Sequence, residues 1–155
     1  MFWHVRHAAG LISFLVVWLY GVYPLIKFLV YAGWCRWGEK FLEVEAGRSA
    51  LKDGAIRFLI GMAFGGAVYL LAGFLGAETV SGLYDRFGRG TVYVAVFAPI
   101  RWVEWWIMER LLARRPGGLF HAERGQLYWR AGGVLASFAS DAPLFLFVSF
   151  VSAIA

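Results

Sequence analysis

Cysteine and charged residues are both scarce in this chain. Cys35 is its one cysteine, which excludes an intrachain disulfide and a metal site built from several thiolates. Charged side chains make up only 16% of the 155 residues, whereas soluble domains carry roughly 25%. This scarcity argues against a soluble domain of ordinary composition.

Hydrophobic residues are abundant instead, at 61% of the chain, and aromatic residues reach 19%. A chain of this length cannot bury so much apolar surface in one core, so lipid is the expected solvent for the excess. No linker rich in Pro or Ser divides the sequence. We therefore predict an all-α fold, a polytopic helical membrane protein in which residues 1–155 form a single membrane domain.

Four apolar segments are long enough, at about 20 residues each, to cross a hydrocarbon core of roughly 30 Å. They cover residues 8–32, 55–75, 91–112 and 131–155. The main prediction is therefore four transmembrane helices. Because the third segment contains Pro99 and several charged residues, the alternative is three helices plus a re-entrant segment at 91–112.

Lys and Arg are concentrated in two loops, at 33–54 and 113–130. The positive-inside rule predicts that both loops are cytoplasmic in a multi-pass protein of the cell (inner) membrane, with both termini on the non-cytoplasmic side. The re-entrant alternative instead places the N-terminus inside. Contact between these loops and anionic lipid of the bilayer accounts for the net charge of +5 without nucleic acid as a partner.

The first basic loop has apolar residues at near-helical spacing. This pattern predicts a short amphipathic helix at about 36–54 that lies in the membrane interface.

The predicted spans contain four charged residues: Lys27, Arg101, Glu104 and Asp141. Each costs about 2.5–3.5 kcal/mol at the centre of a membrane helix, so such residues are usually paired or line a wet cavity. Their charges sum to zero, and their depths allow the line Asp141–Arg101–Glu104–Lys27 across three helices. Pro24, Pro99 and Pro143 lie within three residues of Lys27, Arg101 and Asp141 respectively. The line is either a structural ion-pair network or a polar pathway.

Small residues in two of the spans predict close helix packing. Gly61 and Gly65 form a GxxxG pattern, and Gly133 and Ser137 repeat the spacing in the last span. These positions join either the two helices within one chain or separate copies of the protein.

Catalytic and metal-binding residues do not converge in this topology. His4 and His7 fall on the opposite side of the membrane from His121, which argues against a metal or haem site. Ser137 lies near Asp141, but no histidine accompanies them. We predict a protein that is not an enzyme and needs no cofactor.

Two functions remain. The first is a non-enzymatic assembly or accessory protein that packs with other membrane protein subunits, or as a homo-oligomer, through small-residue helix faces. The alternative is a small oligomeric ion or proton channel or transporter that uses the polar line of Arg101, Glu104 and Asp141.

Overall fold

The chain folds into a helical bundle in a computed structural model that describes residues 16–44 and 47–154, without the side chains of 146–154. Residues 8–15 of the first predicted span therefore lie outside the described residues. The described residues form five α-helices: α1 (Tyr23–Gly38), α2 (Ala50–Leu75), α3 (Ala77–Phe87), α4 (Arg89–Leu112) and α5 (Arg124–Ile154). The predicted all-α class is confirmed, since no strand is found among these residues beyond one isolated bridge.

Four long helices surround the core. Helix α1 packs against α2 and α5, and α4 packs against the same two helices from the other side. Helices α2 and α5 thus occupy opposite corners of the bundle. The short helix α3 joins α2 to α4 at the end away from the basic loops and contacts both of them.

Proline shapes the first helix. A π-helical turn at Trp18–Val22 runs directly into α1, whose second residue is Pro24. Pro24 has no N–H to donate and its ring crowds the carbonyl one turn earlier, and a wider turn accommodates both defects. Pro99 and Pro143, by contrast, lie inside the continuous helices α4 and α5.

The amphipathic helix predicted at 36–54 is wrong for the residues described there. Helix α1 ends at Gly38, α2 begins at Ala50, and the segment between them consists of turns and coil. Its backbone bonds to the other basic loop instead: the Arg114 N–H donates to the Glu43 carbonyl at 2.9 Å, next to the bridge between residues 44 and 113. Both basic loops therefore lie at one end of the bundle.

Helix α3 was not predicted, although its pattern is clear. Its apolar residues follow helical spacing at Val80, Leu83, Tyr84 and Phe87. The glycines before and after it have φ angles of +84° and +79°, which L-residues with a side chain rarely adopt. The two sharp turns set α3 apart from the long helices that it connects.

Polarity is inverted relative to a soluble protein. Large apolar side chains face outward, with Tyr69 80% and Phe74 89% exposed. Seven charged side chains are no more than 5% exposed: Asp53, Arg57, Arg101, Glu104, Glu109, Arg130 and Asp141. Charged residues are almost never fully buried in soluble proteins unless they are paired.

Among the described residues, α2 alone is both long enough and apolar enough to cross a membrane by composition. Its 26 residues extend roughly 39 Å.

Among the described residues, the buried side chains of the packed core lie in the half of the bundle nearer the basic loops. Its central side chains are Tyr31, Trp105, Met108 and Trp129, each no more than 1% exposed. On the other side of Asp141 and Arg101, no described residue of the long helices or of α3 is buried.

Candidate functional site

Five charged side chains meet in the middle of the bundle, and we name them the charged cluster: Lys27, Arg57, Arg101, Glu104 and Asp141. Lys27 comes from α1, Arg57 from α2, the next two from α4 and Asp141 from α5. Arg101 lies 12 residues from the start of α4, and Asp141 lies 13 residues from the end of α5. The cluster is thus roughly 18–20 Å from the end that carries α3.

Asp141 is the most heavily bonded member. Its carboxylate accepts the Lys27 ammonium at 2.6 Å, the Arg101 guanidinium at 3.2 Å and the Tyr23 hydroxyl at 2.6 Å. The Tyr93 hydroxyl donates to the same group. Four donors from two helices, α1 and α4, leave this carboxylate, which is 2% exposed, fully satisfied.

Glu104 binds Arg57 and shares Arg101 with Asp141. The Arg101 guanidinium donates to it at 3.1 Å, and the Arg57 guanidinium donates to the same oxygen. Arg57 also donates to the Ser137 hydroxyl at 3.3 Å. Its guanidinium lies close to two aromatic rings, 4.6 Å from the centroid of Tyr31 and 4.8 Å from that of Trp105, where cation–π attraction adds to the ion pair.

The structure brings together the four charged residues singled out from the sequence, but in a different order. Lys27 bonds to Asp141 and not to the Glu104 end of the line. Arg57 takes the place next to Glu104. With three cations and two carboxylates, the cluster carries a net charge of +1 and not the zero expected from four members.

Arg57 and the two tyrosines were missed as members of the cluster. The signal was their spacing: Tyr23 precedes Lys27 by one helical turn, and Tyr93 precedes Arg101 by about two turns on the same face. Arg57 precedes Gly61 by one turn, but it lies at the start of the predicted span and was not counted among the charges within it. Its partner Glu104 comes from another helix, which no local pattern reveals.

The small residues expected to pack helices together have separate roles. A Cβ at Gly133 would overlap the Trp105 ring, so this glycine admits an indole and not a second backbone. Ser137 accepts the Trp105 Nε1–H at 3.0 Å and donates to the Gly133 carbonyl at 2.9 Å. A Cβ at Gly61 would lie 3.1 Å from Arg57 Nη1, and one at Gly65 would meet nothing within 4 Å.

Helices α2 and α5 therefore do not pack through matched glycine stripes. A close backbone approach does occur between α1 and α2, where a Cβ at Gly54 would come within 2.8 Å of the Ala32 backbone.

A further buried ion pair holds the basic end together. Arg130 donates to Glu109 through Nε at 2.7 Å and through Nη2 at 3.1 Å, and neither side chain is exposed. Arg130 Nη1 also donates to the Gly118 and Leu119 carbonyls at 2.9 Å. A bidentate pair of this kind fixes both partners and ties the second basic loop to α4 and α5.

A cavity of about 250 Å³ opens on the outer side of the charged cluster, between α1 and α2. Its wall includes Tyr23, Lys27 and Tyr31 from α1 and Phe58, Gly61 and Met62 from α2. Among the described residues, Tyr31, Arg57 and Arg101 together have four buried donors without a hydrogen-bond partner: the Tyr31 hydroxyl, Arg57 Nε and Nη1, and Arg101 Nε. The cavity therefore borders a cationic cluster whose residues have hydrogen-bond donors without a partner.

Comparisons with known protein families, with characterised proteins and with solved structures found no match for this chain.

Proposed function

We propose that this chain is a non-enzymatic integral membrane assembly protein, a four-helix unit that packs with other membrane subunits or with itself. The inverted polarity of the bundle carries the proposal. An outer surface with Tyr69 and Phe74 at least 80% exposed is costly in water and favourable in hydrocarbon.

The pairing of buried charges supports the proposal that helices which are not apolar throughout also cross the membrane. Helix α4 is continuous over 24 residues, or roughly 36 Å, which favours a full crossing over a re-entrant segment. Its buried charges, Arg101, Glu104 and Glu109, point into the bundle and each bonds to a charge on another helix. Inward-facing, paired charges are the form in which membrane helices tolerate them.

The saturation of Asp141 favours a structural role for the charged cluster over a pathway. An ion or proton site needs a group that exchanges partners, whereas Asp141 has four donors and Glu104 has two cations. Breaking a buried pair on one side costs roughly 3–5 kcal/mol. The cluster is therefore suited to fixing which helices are neighbours.

The surface offered to a partner is the outer half of α2. Among its glycines, Gly65, Gly66 and Gly73 have no neighbour within 4 Å of a Cβ position, and we call these three the α2 glycine face. Small residues on a lipid-exposed face permit the close backbone approach that drives association of membrane helices. The cytoplasmic position of the basic loops and their contact with anionic lipid belong to the same proposal.

Cross-linking tests this assembly role. A leucine at Gly65 fits the isolated chain but blocks close approach, so Gly65→Leu should remove the native oligomer or hetero-complex that we expect to capture by cross-linking in mild detergent. The matched control, Ala142→Leu, adds similar bulk at another exposed position and should leave assembly intact. Unchanged complexes in Gly65→Leu contradict a role for this face.

The alternative is a small ion or proton channel or transporter that uses Arg101, Glu104 and Asp141. Its test is flux through purified protein in liposomes under ion and proton gradients. Flux that disappears in the double variant Arg101→Gln, Asp141→Asn, in protein that still folds, would favour the channel. The assembly role predicts no flux in either protein.

A further inference from the structure

The charged cluster has one positive charge more than its carboxylates neutralise. Lys27 and Arg101 share Asp141, and Arg101 and Arg57 share Glu104. No other acidic side chain among the described residues bonds to these three cations, and residues 1–15 contain no Asp or Glu. A net charge in a membrane interior is strongly unfavourable until an anion approaches it.

The α1–α2 cavity gives such an anion a route. Lys27 lines the cavity and its side chain is 15% exposed, so the ammonium is the most accessible cation of the charged cluster. Behind Gly61, which also lines the cavity, Arg57 Nη1 lies 3.1 Å from the position of a Cβ. The Arg57 side chain is fully buried, and this nitrogen has no hydrogen-bond partner among the described residues.

The depth of the cavity restricts the source of the anion. Lys27 lies 11 residues before the end of α1, roughly 16 Å from the basic loops, and the cluster is a similar distance from the opposite end. In a hydrocarbon core of about 30 Å, this level is the centre. Phospholipid phosphates lie at the surfaces of that core, so an anion at the centre belongs to another protein helix.

A second copy of this chain cannot neutralise the charge, because it brings the same excess of +1 to the same level. We propose that the groove between α1 and α2 binds a membrane helix of a different protein, and that this helix presents a carboxylate to Lys27 and Arg57. The inference rests on the proposed assembly role and deepens it by naming the chemistry of the partner. Met62, at the mouth of the cavity, is 58% exposed and would contact that helix.

Designed peptides test the proposal without knowledge of the natural partner. The probes are apolar transmembrane peptides of about 20 residues with a central Glu or a central Gln, mixed with the purified full chain in neutral phosphatidylcholine bilayers. Energy transfer between labels measures association at mildly alkaline pH. The Glu peptide should bind roughly tenfold more tightly than the Gln peptide, within the range measured for polar contacts between membrane helices.

Two variants and one control variant test whether the preference for the Glu peptide arises in the groove. Lys27→Met removes the excess charge and should abolish the preference for Glu, whereas Lys52→Met, an exposed lysine at the start of α2, should retain it. Met62→Trp fills the mouth of the cavity without touching the charges, and should weaken binding of the Glu peptide even if Lys27→Met fails to fold.

Equal binding of the two peptides, or a preference that survives in both Lys27→Met and Met62→Trp, overturns the inference. Chloride or phosphate that competes with the Glu peptide at millimolar concentration also overturns it, since the site would then bind free anions. The Gly65→Leu experiment is independent of these results, so the assembly role can stand when the acidic partner helix does not.

Discussion

At the scale of single residues, Arg57 and Glu104 are bonded to each other, yet their replacement has unequal consequences. Glu104 holds both Arg57 and Arg101, whereas Arg57 is one of three cations around two carboxylates. Removing the anion raises the charge of the cluster from +1 to +2, and removing Arg57 lowers it to zero.

Glu104→Gln should therefore destabilise the protein by about 3–5 kcal/mol, the usual cost of leaving a buried charge without its partner. Arg57→Met should cost clearly less, since Glu104 keeps Arg101 and the excess charge disappears. Unfolding by a denaturing detergent, followed by circular dichroism, compares the two variants. Equal losses would mean that charge balance does not control the stability of the cluster.

Gly133 and Gly65 offer a second comparison at this scale. The Trp105 ring occupies the space that a Cβ at Gly133 would need, so Gly133→Ala should cost about 1–3 kcal/mol through overpacking. Gly65→Ala meets open space in the isolated chain and should stabilise it by about 0.5–1 kcal/mol through higher helix propensity. The same unfolding measurement on monomeric protein compares the stabilities of the two variants. A Gly133→Ala variant with unchanged stability would contradict the packing described for Trp105.

At the scale of helices, hydrophobic runs in the sequence predicted most of the architecture. The predicted spans at 55–75 and 91–112 lie within α2 and α4, and 131–155 overlaps α5. Periodicity alone misled at 36–54, because the apolar spacing there belongs to a loop whose backbone bonds to the segment after α4. The helical periodicity at 77–87 was overlooked, although two glycines with positive φ separate an amphipathic helix there from its neighbours.

Helix α3 allows a direct test of those glycine turns. Gly88→Ala forces a side chain into a conformation with φ of +79° and should destabilise the protein by about 1–2 kcal/mol. Gly82→Ala, within α3 and next to open space, should instead add about 0.5–1 kcal/mol. Thermal unfolding in detergent measures both, and a neutral Gly88→Ala would contradict the sharp turn into α4.

The candidate site was less accessible to sequence reasoning than the helices. Charges within apolar runs identified Lys27, Arg101, Glu104 and Asp141, because each is costly in lipid and calls for a partner. Which partner each one takes depends on helix order around the bundle, and that order comes from long-range contacts such as Trp105 against Gly133. The pairing of Arg57 with Glu104 and the resulting charge of +1 could not be read from spacing along one helix.

At the scale of the whole molecule, the central claim is that the apolar outer surface faces lipid and the charges face inward. Two positions make a matched pair: Tyr69 on α2 is 80% exposed and Phe120 in the second basic loop is 81% exposed. In water both would be equally reactive. In the proposed topology, Tyr69 lies against hydrocarbon, whereas Phe120 lies beside the basic loops at the cytoplasmic surface.

The decisive measurement is labelling of single cysteines at these two positions by a membrane-impermeant maleimide, in a Cys35→Ala background and in native membrane vesicles. The account predicts that Phe120→Cys reacts readily in vesicles that expose the cytoplasmic face, and that Tyr69→Cys stays unlabelled in either vesicle orientation until the membrane is dissolved and the protein denatured. Equal labelling of the two cysteines in intact vesicles would contradict it.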